Sequence, residues 1–167
     1  ARGRIVADQS VYAINSGPAS APQAALWLGE PWGFKDIITV DMGGTSFDVA
    51  MIENGKAITT NDSEIKGHRV ALPVLDIHTI GAGGGSIGRV RNGILTMGPQ
   101  SAGSEPGPAC YGKGGTEPAT TDANVVLGYL PEMQRLGGDM QLDRALAQQA
   151  VEKVGKALGK SVKEAAL

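Results

Sequence analysis

The stretch Asp36-Ile37-Ile38-Thr39-Val40-Asp41-Met42-Gly43-Gly44-Thr45-Ser46-Phe47-Asp48-Val49-Ala50-Met51-Ile52 decides the fold. Its branched, apolar opening at 36–40 reads as a buried strand that stops at Asp41, and 47–52 reads as a second strand. Between them two glycines let the backbone fold tightly and turn successive N–H groups into one concavity, an arrangement suited to phosphate oxygens. Thr45 and Ser46 add hydroxyl donors without adding bulk. A carboxylate such as Asp41 repels phosphate on direct contact; it makes sense if it holds Mg²⁺ or its water shell, or orients a water. The same residues also suit an ordinary β-turn in which Asp and Ser satisfy nearby backbone groups. Local chemistry leaves both readings open. A strand–turn–strand without Gly-Lys-Ser/Thr does exclude a Walker-type loop.

Just beyond the second strand, Asn54-Gly55 predicts a type I′ hairpin turn, with 56–60 as an antiparallel third strand. Upstream, Asn15-Ser16-Gly17-Pro18 marks a helix start, capped by Ser16 or Ser20 with Pro18 or Pro22 in its first turn, running to Gly29. Pro31-Trp32-Gly33 then makes a turn. Downstream, 70–80 is extended with Pro73 interrupting it, and Asn92-Gly93 predicts a second hairpin joining 89–91 to 94–97. Residues 98–118 read as a compact Gly/Pro loop and 121–128 as a short capped helix. From Asp143, apolar residues at helical spacing predict an amphipathic helix that reaches the last residue. The elements make an α/β chain with Gly/Pro-rich loop insertions.

The 167 residues are about one domain's length, and 41% hydrophobic against 19% charged residues suffices for a core. Fifteen basic and seventeen acidic side chains give a net charge of −2, so no basic surplus points to nucleic acid or anionic lipid. Apolar runs are too short for a membrane span. The single cysteine, Cys110, excludes an internal disulfide framework and suits a reducing, cytoplasmic setting. Glycine accounts for 25 residues, and the excess is local, at 43–44, 81–88 and 98–115. The start at Ala1 and the helix expected at the end read as a fragment of a longer polypeptide.

The tract Gly81-Ala82-Gly83-Gly84-Gly85-Ser86-Ile87-Gly88 contains G-x-G-x-x-G, but a hairpin follows where a dinucleotide site needs a helix. Close approach of substrate or of a neighbouring domain, and a purely structural cluster of turns, both remain open for it. Asp76 and His78 are two apart on an extended segment and could join Asp122 or Cys110 on a metal. With two histidines in the chain and no further nitrogen or sulfur at ligand spacing, a hydrogen-bonded histidine is the stronger reading. Cys110, among glycine and proline with no histidine partner identified, reads as a buried thiol rather than a nucleophile.

Seven segments occur in order: Ser16-Gly17-Pro18-Ala19, Asp41 to Val49, Thr79 to Ser86, Gly98-Pro99-Gln100-Ser101-Ala102-Gly103, Pro106 to Gly112, Thr121-Asp122-Ala123-Asn124 and Leu136-Gly137-Gly138. Together they resemble the hydantoinase A / 5-oxoprolinase family, ATP-binding subunits or domains of N-methylhydantoinases, oxoprolinases and acetone-type carboxylases, over about residues 10–165. Gln100 and Ala119 depart from the Glu and Thr common in that family. The resemblance implies an RNase H-like lobe of the actin, sugar kinase and heat-shock chaperone fold, in which two lobes close over ATP. The turn 43–46 is then the second phosphate loop: Asp41 serves Mg²⁺ or a water, and Gly43, Gly44, Thr45 and Ser46 serve the β- and γ-phosphates. Gly83, Gly84, Gly85 and Ser86 are expected on the substrate side. The family's first phosphate loop and its adenosine-facing Gly-Gly-Ala-Gly-Pro segment are not in this sequence.

By the same resemblance the parent protein is an ATP-dependent hydrolase of cyclic amides, hydantoins or 5-oxoproline, that phosphorylates the amide oxygen and works with a hydantoinase B-like subunit or domain. Two alternatives are the ATPase subunit of an acetone-type carboxylase and a nucleotide-binding actin-like module without turnover. With half the phosphate site missing, the isolated chain is expected to be inactive.

Overall fold

The computed structural model describes residues 3–14, 16–65, 67–131, 135–136 and 138–167. Asn15 and Gly137, which belong to two of the quoted segments, lie outside the described residues. The chain divides into two compact units, Ala1–Asp41 with Asp48–Ile80, and Met42–Phe47 with Gly81–Leu167.

In the first unit, a short helix α1 (Gly3–Asp8) precedes α2 (Ser20–Gly29). Neither expected serine caps α2. Ala19 occupies the N-cap, and the Ser20 hydroxyl, already helical, donates back to the Gly17 carbonyl at 2.6 Å. Pro22 does fall in the first turn, where a missing N–H is harmless. After a 3₁₀ turn, Glu30–Trp32, Gly33 adopts the left-handed conformation that ends it.

Strands β1 (Ile37–Met42), β2 (Phe47–Glu53) and β3 (Lys56–Ala57) lie side by side in chain order. Asn54 and Gly55, at φ 51° and 74°, make the type I′ turn between β2 and β3, with Glu53 opposite Lys56. Two expectations fail here. β1 runs on through Asp41 to Met42, and it is not buried: Ile37 and Thr39 are half-covered, whereas Ile38 and Val40 are 66% and 60% exposed. Its apolar run satisfies the rule for a buried strand, but among the described residues β1 pairs only with β2, and one of its faces is uncovered. The third strand also breaks after Ala57. β4 (Thr59–Thr60) leaves β3's sheet for another, and β5 (Ser63–Ile65) and β6 (His68–Val70) form a separate ribbon. β7 (Val74–Leu75) pairs with β4, and β8 (Ile77–Ile80), beyond Pro73, pairs with β2.

The second unit opens with a hairpin of β9 (Ser86–Arg91) and β10 (Ile94–Ser101), closed by Asn92 and Gly93 at φ 51° and 75°. Pairing runs from Ile94 opposite Arg91 to Met97 opposite Gly88, then shifts so that Ser101 faces Ser86. β10 thus takes the start of the segment expected as loop, which also contains a 3₁₀ turn at Ala109–Tyr111. α3 (Thr120–Leu127) follows, stopped by Gly128 at φ 81°, and β11 (Arg135–Leu136) pairs with β12 (Met140–Gln141). α4 (Arg144–Leu158) starts where Asp143 caps the Leu146 N–H at 3.0 Å. It does not reach the last residue. Gly159 at φ 66° ends it, and Ser161 with Glu164 caps a separate α5 (Val162–Ala166). The core of this unit joins Cys110, Val125, Val126, Leu142, Ala147 and Val151.

Candidate functional site

The turn between β1 and β2 belongs to the same unit as the glycine tract. It is closed by a bond from the Gly43 N–H to the Ser46 carbonyl, 2.9 Å. Gly43, Gly44 and Thr45 are exposed and Ser46 is half-buried. The tract lies directly beneath. The Gly84 N–H donates to the Gly43 carbonyl at 2.9 Å and the Gly85 N–H to the Gly44 carbonyl at 2.7 Å. Both recipient peptides are trans, so each C=O points opposite to the next residue's N–H. Fixing the Gly43 and Gly44 carbonyls toward the tract therefore turns the Gly44 and Thr45 N–H groups outward. Among the described residues neither of these two amides has an acceptor. Two adjacent outward donors, flanked by the Thr45 and Ser46 hydroxyl-bearing side chains, form a cradle for a tetrahedral anion. The donor set fits phosphate.

Only glycine allows this stacking. A Cβ on Gly83 would stand 2.7 Å from the Gly44 carbonyl carbon and from the Thr45 nitrogen, and one on Gly85 2.9 Å from the Gly44 oxygen. On Gly44 it would meet nothing within 4 Å. The tract is itself tied down: Ser86 Oγ accepts from the Gly83 N–H at 2.8 Å, the Ser86 N–H donates to the Gly83 carbonyl at 3.0 Å, and the Ala102 N–H to the Gly85 carbonyl at 2.7 Å. Gly83, Gly85 and Ser86 are buried. The close approach that these glycines permit in the structure is that of the turn 43–46, a segment of the same unit.

Asp41, two residues before Gly43, is an exposed carboxylate on β1. Asp76 Oδ1 and His78 Nε2 stand 3.8 Å apart, the histidine exposed and the aspartate half-buried. Among the described residues no three His, Cys, Asp or Glu side chains converge as a metal site would require. Asp122 has a different task. Fully buried, it accepts from the N–H groups of Ala109 (3.2 Å), Cys110 (2.8 Å) and Ala119 (2.9 Å). Cys110 is completely buried, and desolvation, followed by the adjoining Asp122, pushes its thiol far above the ordinary range, so it remains a neutral core residue. Thr121, which the sequence reading passed over, binds the Gly84 carbonyl through both its N–H and its Oγ1, each at 2.8 Å. It lies 37 residues from Gly84, and no local spacing announces such a pairing.

The chain matches the family described as Hydantoinase/oxoprolinase over residues 4–167. It is 48% identical to caprolactamase subunit alpha of Pseudomonas jessenii across all of this chain and 24% of that protein. The crystal structure of the ATP-dependent caprolactamase from Pseudomonas jessenii superposes with a TM-score of 0.83 and 50% identity, covering 94% of this chain and 23% of that one. A nucleotide-free acetone carboxylase structure superposes with a TM-score of 0.80 and 37% identity over 90% of this chain and 22% of that one. The chain thus spans about a quarter of the length of the relatives it matches, 24% for the caprolactamase subunit. With the match running from residue 4 to residue 167, and the ordered segments of the turn and tract now packed against each other, the chain belongs to the hydantoinase/oxoprolinase family.

Proposed function

We propose that the turn 43–46 holds the β- and γ-phosphates of ATP in an enzyme that opens cyclic amides. The observation that carries this reading is the outward pair of Gly44 and Thr45 amides, held by carbonyls bound from below. Relatives whose names specify an ATP-dependent caprolactamase and an ATP-dependent acetone carboxylation support it. The higher identity, 50% against 37%, favours amide opening over ketone carboxylation.

A ring amide resists water because its carbonyl is stabilised by the nitrogen lone pair. ATP supplies a phosphoryl group whose transfer to the amide oxygen makes that carbon a far better electrophile. This chain contributes position and charge complementarity. The Gly44 and Thr45 N–H groups donate to phosphate oxygens, the Thr45 and Ser46 hydroxyls extend the donor set, and the absence of a Cβ at Gly44 leaves room for close approach. Asp41, exposed at the end of β1, would hold Mg²⁺ or a water of its shell.

We further assign the chain to one RNase H-like lobe of an actin-type fold; the consecutive β1, β2 and β3 with a glycine turn after the first strand support that assignment. In this reading the first phosphate loop and the adenosine-facing segment belong to the larger remainder that the relatives possess, a hydantoinase B-like subunit completes the reaction, and the 167 residues alone are inactive.

Gly44→Ala tests the reading in the full-length protein assembled with its partner subunit. The added methyl meets no protein atom within 4 Å, so the thermal midpoint is expected to stay within about 2 °C, a surface-like change. Affinity for AMP-PNP is expected to fall about tenfold, the loss of one or two phosphate hydrogen bonds. Unaltered nucleotide affinity would overturn the assignment.

A further inference from the structure

We propose that Thr121 is a positioning residue for the phosphate turn, acting on the Thr45 amide through two successive peptide planes. The inference rests on the reading of 43–46 as the ATP phosphate turn. Thr121 is 7% exposed and does not bind that turn directly; its N–H and Oγ1 both bind the Gly84 carbonyl, each at 2.8 Å. Two donors on one carbonyl oxygen fill both lone pairs and fix the rotation of the Gly84–Gly85 peptide.

In that trans peptide the Gly85 N–H points the opposite way, onto the Gly44 carbonyl at 2.7 Å. The Gly44–Thr45 peptide is fixed in turn, and its far side is the outward Thr45 N–H. Little slack exists along the path. A Cβ at Gly84 would lie 2.8 Å from Thr121 Oγ1, and one at Gly85 2.6 Å from Ser101 Oγ. The near end is equally firm, since the neighbouring Asp122 ties the start of α3 to Ala109, Cys110 and Ala119. The Gly44 amide has its own parallel path, from the Ser86 N–H through the Gly83–Gly84 peptide to the Gly43 carbonyl. Thr121 therefore governs one of the two donors.

The Thr121 N–H alone already satisfies the Gly84 carbonyl, so Oγ1 adds orientation. Thr121→Val removes that second bond, together with the side-chain hydrogen bond between Tyr111 and Thr121, and keeps the shape of the side chain. In the full-length protein with its partner subunit, AMP-PNP and AMP binding are compared by calorimetry. The dissociation constant for AMP-PNP is expected to rise about fivefold, that for AMP to stay within twofold, and Thr121→Ser to restore both. Exchange of the Gly85 amide hydrogen is expected to quicken in Thr121→Val without nucleotide. Where the valine methyl is not accommodated, Thr121→Ala gives the same comparison. Equal weakening of AMP-PNP and AMP, no change in either, or failure of serine to restore binding overturns the inference. If Gly44→Ala weakens AMP-PNP and Thr121→Val does not, only this inference falls; if Gly44→Ala is also without effect, the phosphate reading falls with it.

Discussion

At the scale of single residues, Gly44 and Gly83 show how one residue type serves opposite ends. At Gly83 the missing side chain is filled by the turn's own backbone, whereas at Gly44 it leaves space open to solvent. Cys110 illustrates a second contrast, between a reactive residue type and an inert setting. Desolvation first, and the Asp122 carboxylate next, hold its thiol well above the ordinary 9.0. The sign of the consequence follows from proton counting. Below pH 9 the thiol is protonated in both folded and unfolded chains and stability is insensitive to it. Above pH 9 the unfolded thiol ionises while the folded one does not, so stability falls as pH rises, by at most about 1.4 kcal/mol per pH unit. Tyr111, raised chiefly by burial and then by Cys110, pulls in the same direction. The thermal midpoint of the full-length protein is expected to decline more steeply between pH 9 and 10.5 than that of Cys110→Ala. Parallel slopes would show that the thiol ionises freely in the folded state.

Among the elements, α3 is the joint of the second unit, and Asp122 is what fixes it. Its two oxygens accept three backbone N–H groups, from the 3₁₀ turn at Ala109 and Cys110 and from Ala119 at the helix N-cap. Asparagine offers one acceptor oxygen and sets an NH₂ against a donor. Asp122→Asn is expected to cost about 3 kcal/mol locally, as buried bonds to a charged group do, and to speed exchange of the Ala109, Cys110 and Ala119 amides roughly a hundredfold. Unchanged exchange there would remove the carboxylate from this role. The same elements separate what was legible in the sequence from what was not. Both Asn-Gly turns could be read because φ > 0 at two adjacent positions is a local demand that few residue pairs meet. The strand–turn–strand around Gly43 was likewise local. Asp122 looked like a possible ligand because its three amide partners lie up to 13 residues away and become neighbours only on folding. The exposure of β1 has a related reason: apolar content states what a strand can bury, while its sheet neighbours decide whether it does. The turn's N–H orientation depended on glycines some forty residues downstream, and G-x-G-x-x-G pointed to a different kind of site.

For the molecule as a whole, the uncovered side of β1 is the feature that a free-standing 167-residue chain does not account for. Ile38, Val40 and Met42 alternate along one face of the strand at 66%, 60% and 50% exposure, and among the described residues β1 has a single strand neighbour. In the same unit Trp27, Trp32 and Phe34 are each more than 60% exposed. A strand edge carrying an apolar face is a template for pairing with another chain. On the reading that the longer polypeptide covers this face, the isolated chain exposes it to other copies. Sedimentation of the isolated chain at micromolar concentration is expected to give species larger than a monomer, and Ile38→Lys combined with Val40→Lys to return it to monomer. In the full-length protein the same pair places two ammonium groups where apolar contact is needed, and should lower the thermal midpoint by several degrees, as burial of unpaired charge does. Gly44→Ala, on the turn, should leave the sedimentation of the isolated chain as it was. An isolated chain that stays monomeric, together with a full-length protein indifferent to both lysines, would mean that β1 faces solvent in the full-length protein.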